Sequence, residues 1–115
     1  MTTILHISSH AEWRSAQLAG SYEADSLSSQ GFIHCSRPDQ VLGVANDRFG
    51  GQDGLVLLCI DPDRVVAEIR HENLDGGAHL FPHIYGPLNL DAVTDILDFV
   101  PNEAGEFVLP RQLQT

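Results

Sequence analysis

Leu55-Val56-Leu57-Leu58-Cys59-Ile60 is an unbroken apolar run, closed by Gly54 on one side and by Asp61-Pro62 on the other. Six residues between such flanks are too few for a helix, so the run reads as a central strand buried on both faces. A chain built around such a strand must cover it twice. At 115 residues there is enough chain for one core of that kind and not for two, which makes residues 1–115 a single domain.

The remaining elements are read outward from that strand. Ile4 to Ser8 is a short strand, and Ser9-x-x-Glu12 has capping-box spacing ahead of a helix of ten residues. That helix turns Trp13 and Ala16 inward and stops at Gly20. Tyr22 to Gln30 reads as a loop with one short turn, and Gly31 to Ser36 as a second strand. Pro38 suits the first turn of the next helix, where Val41, Val44, Ala45 and Phe49 make an apolar stripe that ends at Gly50-Gly51.

Val65 to His71 is expected to be a strand with Val65, Ala67 and Ile69 on one face. Asp75-Gly76-Gly77 is a turn, and Pro82 keeps His79 to Tyr85 extended. Asn89 can cap a helix in which Leu90, Val93, Ile96 and Leu97 share a side, and Phe107-Val108-Leu109 is a candidate last strand. The order β-α-β-α-β-β-β-α-β lacks the alternation of a doubly wound parallel sheet. The expected class is therefore α+β, with small, mostly antiparallel sheets and flanking helices.

Charge and cysteine content narrow the function. Sixteen acids face six bases, all of them arginine and all scattered, for a formal charge of -10. That field repels phosphate backbones and anionic lipid, which argues against general nucleic-acid or membrane-surface binding. Cys35 and Cys59 sit in strand-like runs without a CxxC pattern, and the N-terminal residues lack the charged and apolar regions of a signal peptide. A cytoplasmic chain with free thiols, monomeric by default, is the expectation.

The candidate chemistry lies on strand faces, where residues two apart project together. His6 shares a face with Ser8, His34 with Ser36, and His83 with Tyr85. A fold that gathered those faces would concentrate groups able to bind a ligand or exchange protons. Each histidine alone has a plainer alternative as a hydrogen-bonded buried residue or a surface residue, and Tyr85 as a core aromatic. Cys35 points away from His34 and is expected in the core. His79-x-x-x-His83 has helical metal-ligand spacing, but Pro82 opposes the helix and no paired-cysteine pattern supports zinc, so no metal is expected.

Gly31-Phe32-Ile33-His34-Cys35-Ser36 with Gln40, and Phe81-Pro82-His83-Ile84-Tyr85-Gly86-Pro87-Leu88, resemble segments of the small bacterial family termed domain of unknown function 952. Trp13, Gly20, Tyr22, Ser26-Leu27 and Asp61-Pro62 extend the resemblance over nearly the whole chain. That family in turn looks like a distant relative of the ADP-ribosyltransferase fold. Leu5-His6 and Phe32-Ile33-His34-Cys35-Ser36 are similar to the opening of the NAD-dependent RNA 2′-phosphotransferases.

The resemblance implies split antiparallel sheets gripping NAD or a related nucleotide, with cleavage of the nicotinamide–ribose bond. His34, His83 and Tyr85 are then the catalytic candidates, and His6, Ser8, Ser36 and Gln40 the cofactor-binding ones. By that likeness His6 contacts a ribose hydroxyl and His34 the nicotinamide. The third strand departs from the transferases, for it offers His83 and Tyr85 where they have an acid, and Glu72 is the nearest carboxylate in sequence. A non-enzymatic module binding a small ligand or a protein through the same cleft is the alternative reading, and a metal-dependent hydrolase a third.

Overall fold

A computed structural model describes residues 3–73 and 79–113. Among the described residues, eight strands and three helices form an α+β architecture in which all strand pairing is antiparallel. The run Leu55–Ile60 is β4, and each of its six residues is buried. It lies between β1 (Ile4–Ser9) and β8 (Val93–Phe99) in a three-stranded sheet. Alternation along β4 divides the interior in two. Val56, Leu58 and Ile60 face one apolar cluster, while Leu55, Leu57 and Cys59 face the other.

The first cluster is roofed by a second three-stranded sheet, β3 (Ile33–His34), β6 (Phe81–Tyr85) and β5 (Glu68–Glu72), and by the ribbon β2 (Ser21–Tyr22) with β7 (Leu88–Asn89). Ile33, Ile84 and Ile69 point from this sheet into the cluster, together with Val65 and Ala67 just before β5. The two larger sheets meet where β3 runs on. Leu5 and Ser36 exchange backbone hydrogen bonds of 2.7 Å in each direction, stitching β1 to the end of the other sheet. The second cluster is closed by α3 (Val41–Arg48), with Val41 and Ala45 fully buried, and by Phe107 from the C-terminal segment.

Helix α1 (His10–Ala19) follows the capping signal. Ser9 Oγ accepts from the Glu12 N–H at 3.1 Å, and Gly20 closes the helix at φ 91°, where a glycine needs no Cβ accommodated. Ala16 is buried and Trp13 half-buried against the first cluster. Helix α3 begins three residues after Pro38, which sits instead in the hydrogen-bonded turn from Arg37 to Val41.

Several elements differ from the reading of the sequence. The expected loop from Tyr22 to Gln30 holds the end of β2 and a short helix, α2 (Asp25–Gln30). Asn89 does not cap a helix. A 3-10 turn at Leu90–Ala92 passes into β8, whose Leu97 and Phe99 are buried against β4 while Ile96 and Asp98 face out. The spacing of Leu90, Val93, Ile96 and Leu97 is that of a helix face, but pairing with β4 overrides it and splits Ile96 from Val93 and Leu97.

Phe107-Val108-Leu109 is not a strand. Phe107 is anchored by the Asn46 side chain, which accepts from its N–H at 2.7 Å in place of a neighbouring strand. Strand β5 starts at Glu68, three residues later than expected, because Val65 closes the 3-10 turn Pro62–Arg64 and the Val66 N–H donates to Asn89 Oδ1. The turn expected at Asp75-Gly76-Gly77 lies outside the described residues. None of the helices formed by described residues is long and apolar enough to cross a membrane.

Candidate functional site

The site begins with strand alternation in the sheet β3-β6-β5. Because Ile33 and Ile84 are held in the core, Phe32 and His34 on one strand and Phe81, His83 and Tyr85 on the next must project from the opposite face. The register sets His34 against His83, and His83 against Arg70 of β5. Two of the three histidine-bearing faces read from the sequence, those of His34 and of His83 with Tyr85, thus meet on one surface with Arg70 of β5.

Phe32 is the hub of that surface. Its ring stacks on His83 at 4.3 Å between centroids, meets His34 edge-on at 4.8 Å and lies 5.2 Å from Tyr85. The His34 and His83 rings are 5.4 Å apart. His83 is buried while His34 is exposed, and the His34 Nε2 is hydrogen-bonded to the side-chain oxygen of Gln30 at the end of α2.

The carboxylate absent from the third strand arrives from the neighbouring one. Glu72 ends β5 on the same face as Arg70, and its Oε1 accepts from the Tyr85 hydroxyl at 2.5 Å and from His83 Nδ1 at 3.1 Å. The donated bonds, Tyr85 first and His83 second, hold the Glu72 carboxyl below the usual carboxylate range. The same bond raises the Tyr85 phenol above its ordinary value. Arg70 places its guanidinium 4.4 Å over the Tyr85 ring and pairs with Glu68 at 3.0 Å.

β1 supplies the third imidazole, but from a different side. His6 and Ser8 share the face of Ile4, which looks into the first cluster, where Tyr22 of β2 meets them. The Tyr22 hydroxyl is 2.8 Å from His6 Nε2 and 2.9 Å from Ser8 Oγ, and His6 Nδ1 donates to the His34 carbonyl. With a carbonyl on Nδ1, the neutral ring carries its proton there and Nε2 accepts from Tyr22. Burial pushes the His6 imidazole down to about 4, against the partial support of the His34 carbonyl, so the ring is neutral at physiological pH.

His6, His34 and Ser36 also line a small cavity of about 150 Å³, closed by Val44 and Arg48 of α3 and by Phe49. Beside it, sharing Val44 and Arg48, runs an open groove of about 590 Å³ with Gln40, Arg37, His79 and Phe81 in its walls. Gln40 is spent on the chain itself. Its amide donates to the Leu80 carbonyl at 2.8 Å and accepts from the Arg37 N–H at 3.0 Å.

The fold therefore gathers His34, His83 and Tyr85 into one cluster, and joins His6 and Ser36 to it through His34. Ser8 lies behind them, 2% exposed and bonded to Tyr22. Glu72, Phe32, Tyr22 and Gln30 enter the site without having been singled out as candidates. Phe32 was readable, being two residues from His34 on a strand, and so was Glu72 as the end of the 68-70-72 face; Tyr22 and Gln30 depend on long-range packing.

Cys35, on the core side of β3, is buried, and burial drives its thiol well above the ordinary range, in keeping with a packing role. Among the described residues there is no group of three or more His, Cys, Asp or Glu side chains disposed to hold a metal ion. His79, the partner expected of His83 in a metal motif, is exposed and precedes β6.

Comparison with known proteins places this arrangement. Crystal structures of protein CC0527 from Caulobacter crescentus, one of them a double mutant, superpose with a TM-score of 0.87 at 34% identity, covering 97% of this chain and 98% of that one. The solution NMR structure of CC0527 gives a TM-score of 0.81 at 36% identity over 92% and 91% of the two chains. No curated protein matches the sequence. The family model described as Protein of unknown function (DUF952) matches residues 7–96, from the second half of β1 through β3, β5 and β6 with all of His34, Glu72, His83 and Tyr85, and the chain belongs to that family.

Proposed function

We propose that the face of β3, β6 and β5 binds NAD or a related nucleotide and cleaves the bond between nicotinamide and ribose, in an ADP-ribosyltransferase-like arrangement. The observation that carries the reading is the cluster itself. An exposed imidazole, His34, stands beside an aromatic hub, Phe32, with an ionised carboxylate, Glu72, bound to Tyr85 and His83. Cleavage of that bond builds positive charge on the sugar, and a fixed carboxylate in a partly desolvated face is the group that stabilises such charge.

His6 acts from behind in this scheme, fixing the His34 backbone through its Nδ1 hydrogen bond, and Ser36 lines the same small cavity. The adjoining groove extends the space available to the rest of a nucleotide, with Gln40 holding its wall at Leu80. A protein with buried free thiols at Cys35 and Cys59 suits the reducing cytoplasm, and a formal charge of -10 disfavours phosphorylated RNA as acceptor.

The test is a titration of NAD into isotope-labelled protein with parallel measurement of free nicotinamide. Shifts centred on His34 and Tyr85 together with nicotinamide release, both lost in His34→Ala, are the expected result. An absence of shifts there removes the proposal. The burial of His83 and the full occupation of both His6 nitrogens favour a second reading, a binding module without chemistry, and saturable shifts with no nicotinamide released would select it.

A further inference from the structure

His83 is buried, 5% exposed, yet its bonding is half open. Its Nδ1 is taken by Glu72 at 3.1 Å, and its ring lies flat on Phe32. Among the described residues no side-chain nitrogen or oxygen is buried without a hydrogen-bond partner. Nε2, which makes no such bond within the described chain, is accordingly the ring nitrogen that reaches solvent.

We infer that Glu72 and His83 form a carboxylate–imidazole pair that presents the Nε2 of His83 as the proton acceptor of the site. An ionised carboxylate can only accept, so Nδ1 must be the protonated nitrogen of the neutral ring, and the lone pair is left on Nε2. Stacking on Phe32 and the bond to Glu72 fix the ring plane, so the lone pair has one direction. Nearby stand His34 from β3, whose ring is 5.4 Å away, Tyr85 two residues on along β6, and Arg70 of β5 opposite, already paired to Glu68. Glu72 is then a positioning residue, and it also offsets the charge on His83 once Nε2 is protonated.

The choice of reaction rests on the function proposed above, although the pair itself does not. For hydrolysis of NAD, a water O–H bond breaks as its oxygen bonds to the ribose C1′, and the proton moves to Nε2. The C1′–N bond breaks at the same time, its electron pair leaving with nicotinamide. The products are nicotinamide, ADP-ribose and one proton, which His83 returns to solvent.

Two measurements test the pair without any ligand. Long-range proton–nitrogen correlation at about pH 8, where free imidazole is neutral, should show His83 as the Nδ1–H form in the wild type and in Glu72→Gln, and the Nε2–H form in Glu72→Ala. Acylation of His83 by diethyl pyrocarbonate, followed by peptide mass spectrometry, should slow by about tenfold or more in Glu72→Ala, with partial recovery in Glu72→Gln. An Nε2–H ring in the wild type, or acylation indifferent to Glu72, overturns the inference. Nicotinamide release separates it from the wider proposal. If the ring behaves as expected but NAD is not cleaved, the pair stands and the NAD reading falls; if NAD is cleaved equally well by His83→Gln, the NAD reading stands and the role of His83 as proton acceptor falls.

Discussion

Tyr22 and His6 show how a buried polar group is made tolerable, and what that costs as pH changes. Each polar atom of the Ser8–Tyr22–His6 chain has a partner, ending on the His34 carbonyl, so no desolvated group is left unpaired. The arrangement suits neutral imidazole only. The native ring titrates near 4 while the unfolded one takes its proton near the ordinary 6.5, so between those values the unfolded state binds more protons and stability falls as pH falls. The contribution is complete above 6.5 and exhausted below about 4. The loss should approach about 2 kcal/mol by pH 5. Urea unfolding at pH 7 and pH 5 checks this, and His6→Gln, which has no titrating ring, should flatten the difference. Glu72, with its depressed carboxyl, loses its contribution only at still lower pH and does not confuse the window.

At the level of elements, legibility followed local signals. β4 declared itself by its unbroken apolar run, and α1 by Ser9, Glu12 and Gly20, because the residues that make those elements also carry their boundaries. β8 did not, since the spacing of Leu90, Val93, Ile96 and Leu97 is helical and only pairing with β4 overrides it. α2 left no mark: Asp25-Ser26-Leu27-Ser28-Ser29-Gln30 contains poor helix formers and Ala24 offers no side-chain cap. The histidine faces of β3 and β6 were legible from alternation, whereas the inward turn of His6 required knowing that β1 lies over Tyr22.

One element boundary also positions Tyr85. Gly86 ends β6 at φ 154°, and a Cβ there would stand 2.9 Å from the Ala67 Cβ. Gly86→Ala should therefore destabilise the fold by about 1–3 kcal/mol, combining overpacking with backbone strain. Adding Ala67→Gly should restore part of that loss by removing the contact and leaving the strain. Thermal midpoints of the single and double variants decide it, and recovery to the wild-type midpoint would show that strain has no part.

Across the whole molecule, β4 is a partition with a different task on each side. The cluster of Val56, Leu58 and Ile60 extends through Ile33 and Ile84 to the underside of the candidate site. The cluster of Leu55, Leu57 and Cys59 supports α3 and the C-terminal segment, where Phe107 stacks on Phe99 at 4.6 Å and takes its backbone bond from Asn46. Loss of a large buried side chain on either side lowers global stability, because both faces belong to one strand. Its effect on the site should differ by side. Phe107→Ala should cost about 3–5 kcal/mol while leaving the ring resonances of His34, His83 and Tyr85 where they are in the wild type, well below the unfolding midpoint. Ile84→Ala, which removes the support between His83 and Tyr85 from the other side of the same strand, should cost about 2–5 kcal/mol and move those resonances. Chemical denaturation and aromatic spectra of the two variants test the division, and displaced site resonances in Phe107→Ala would show that the two halves of the core are mechanically one.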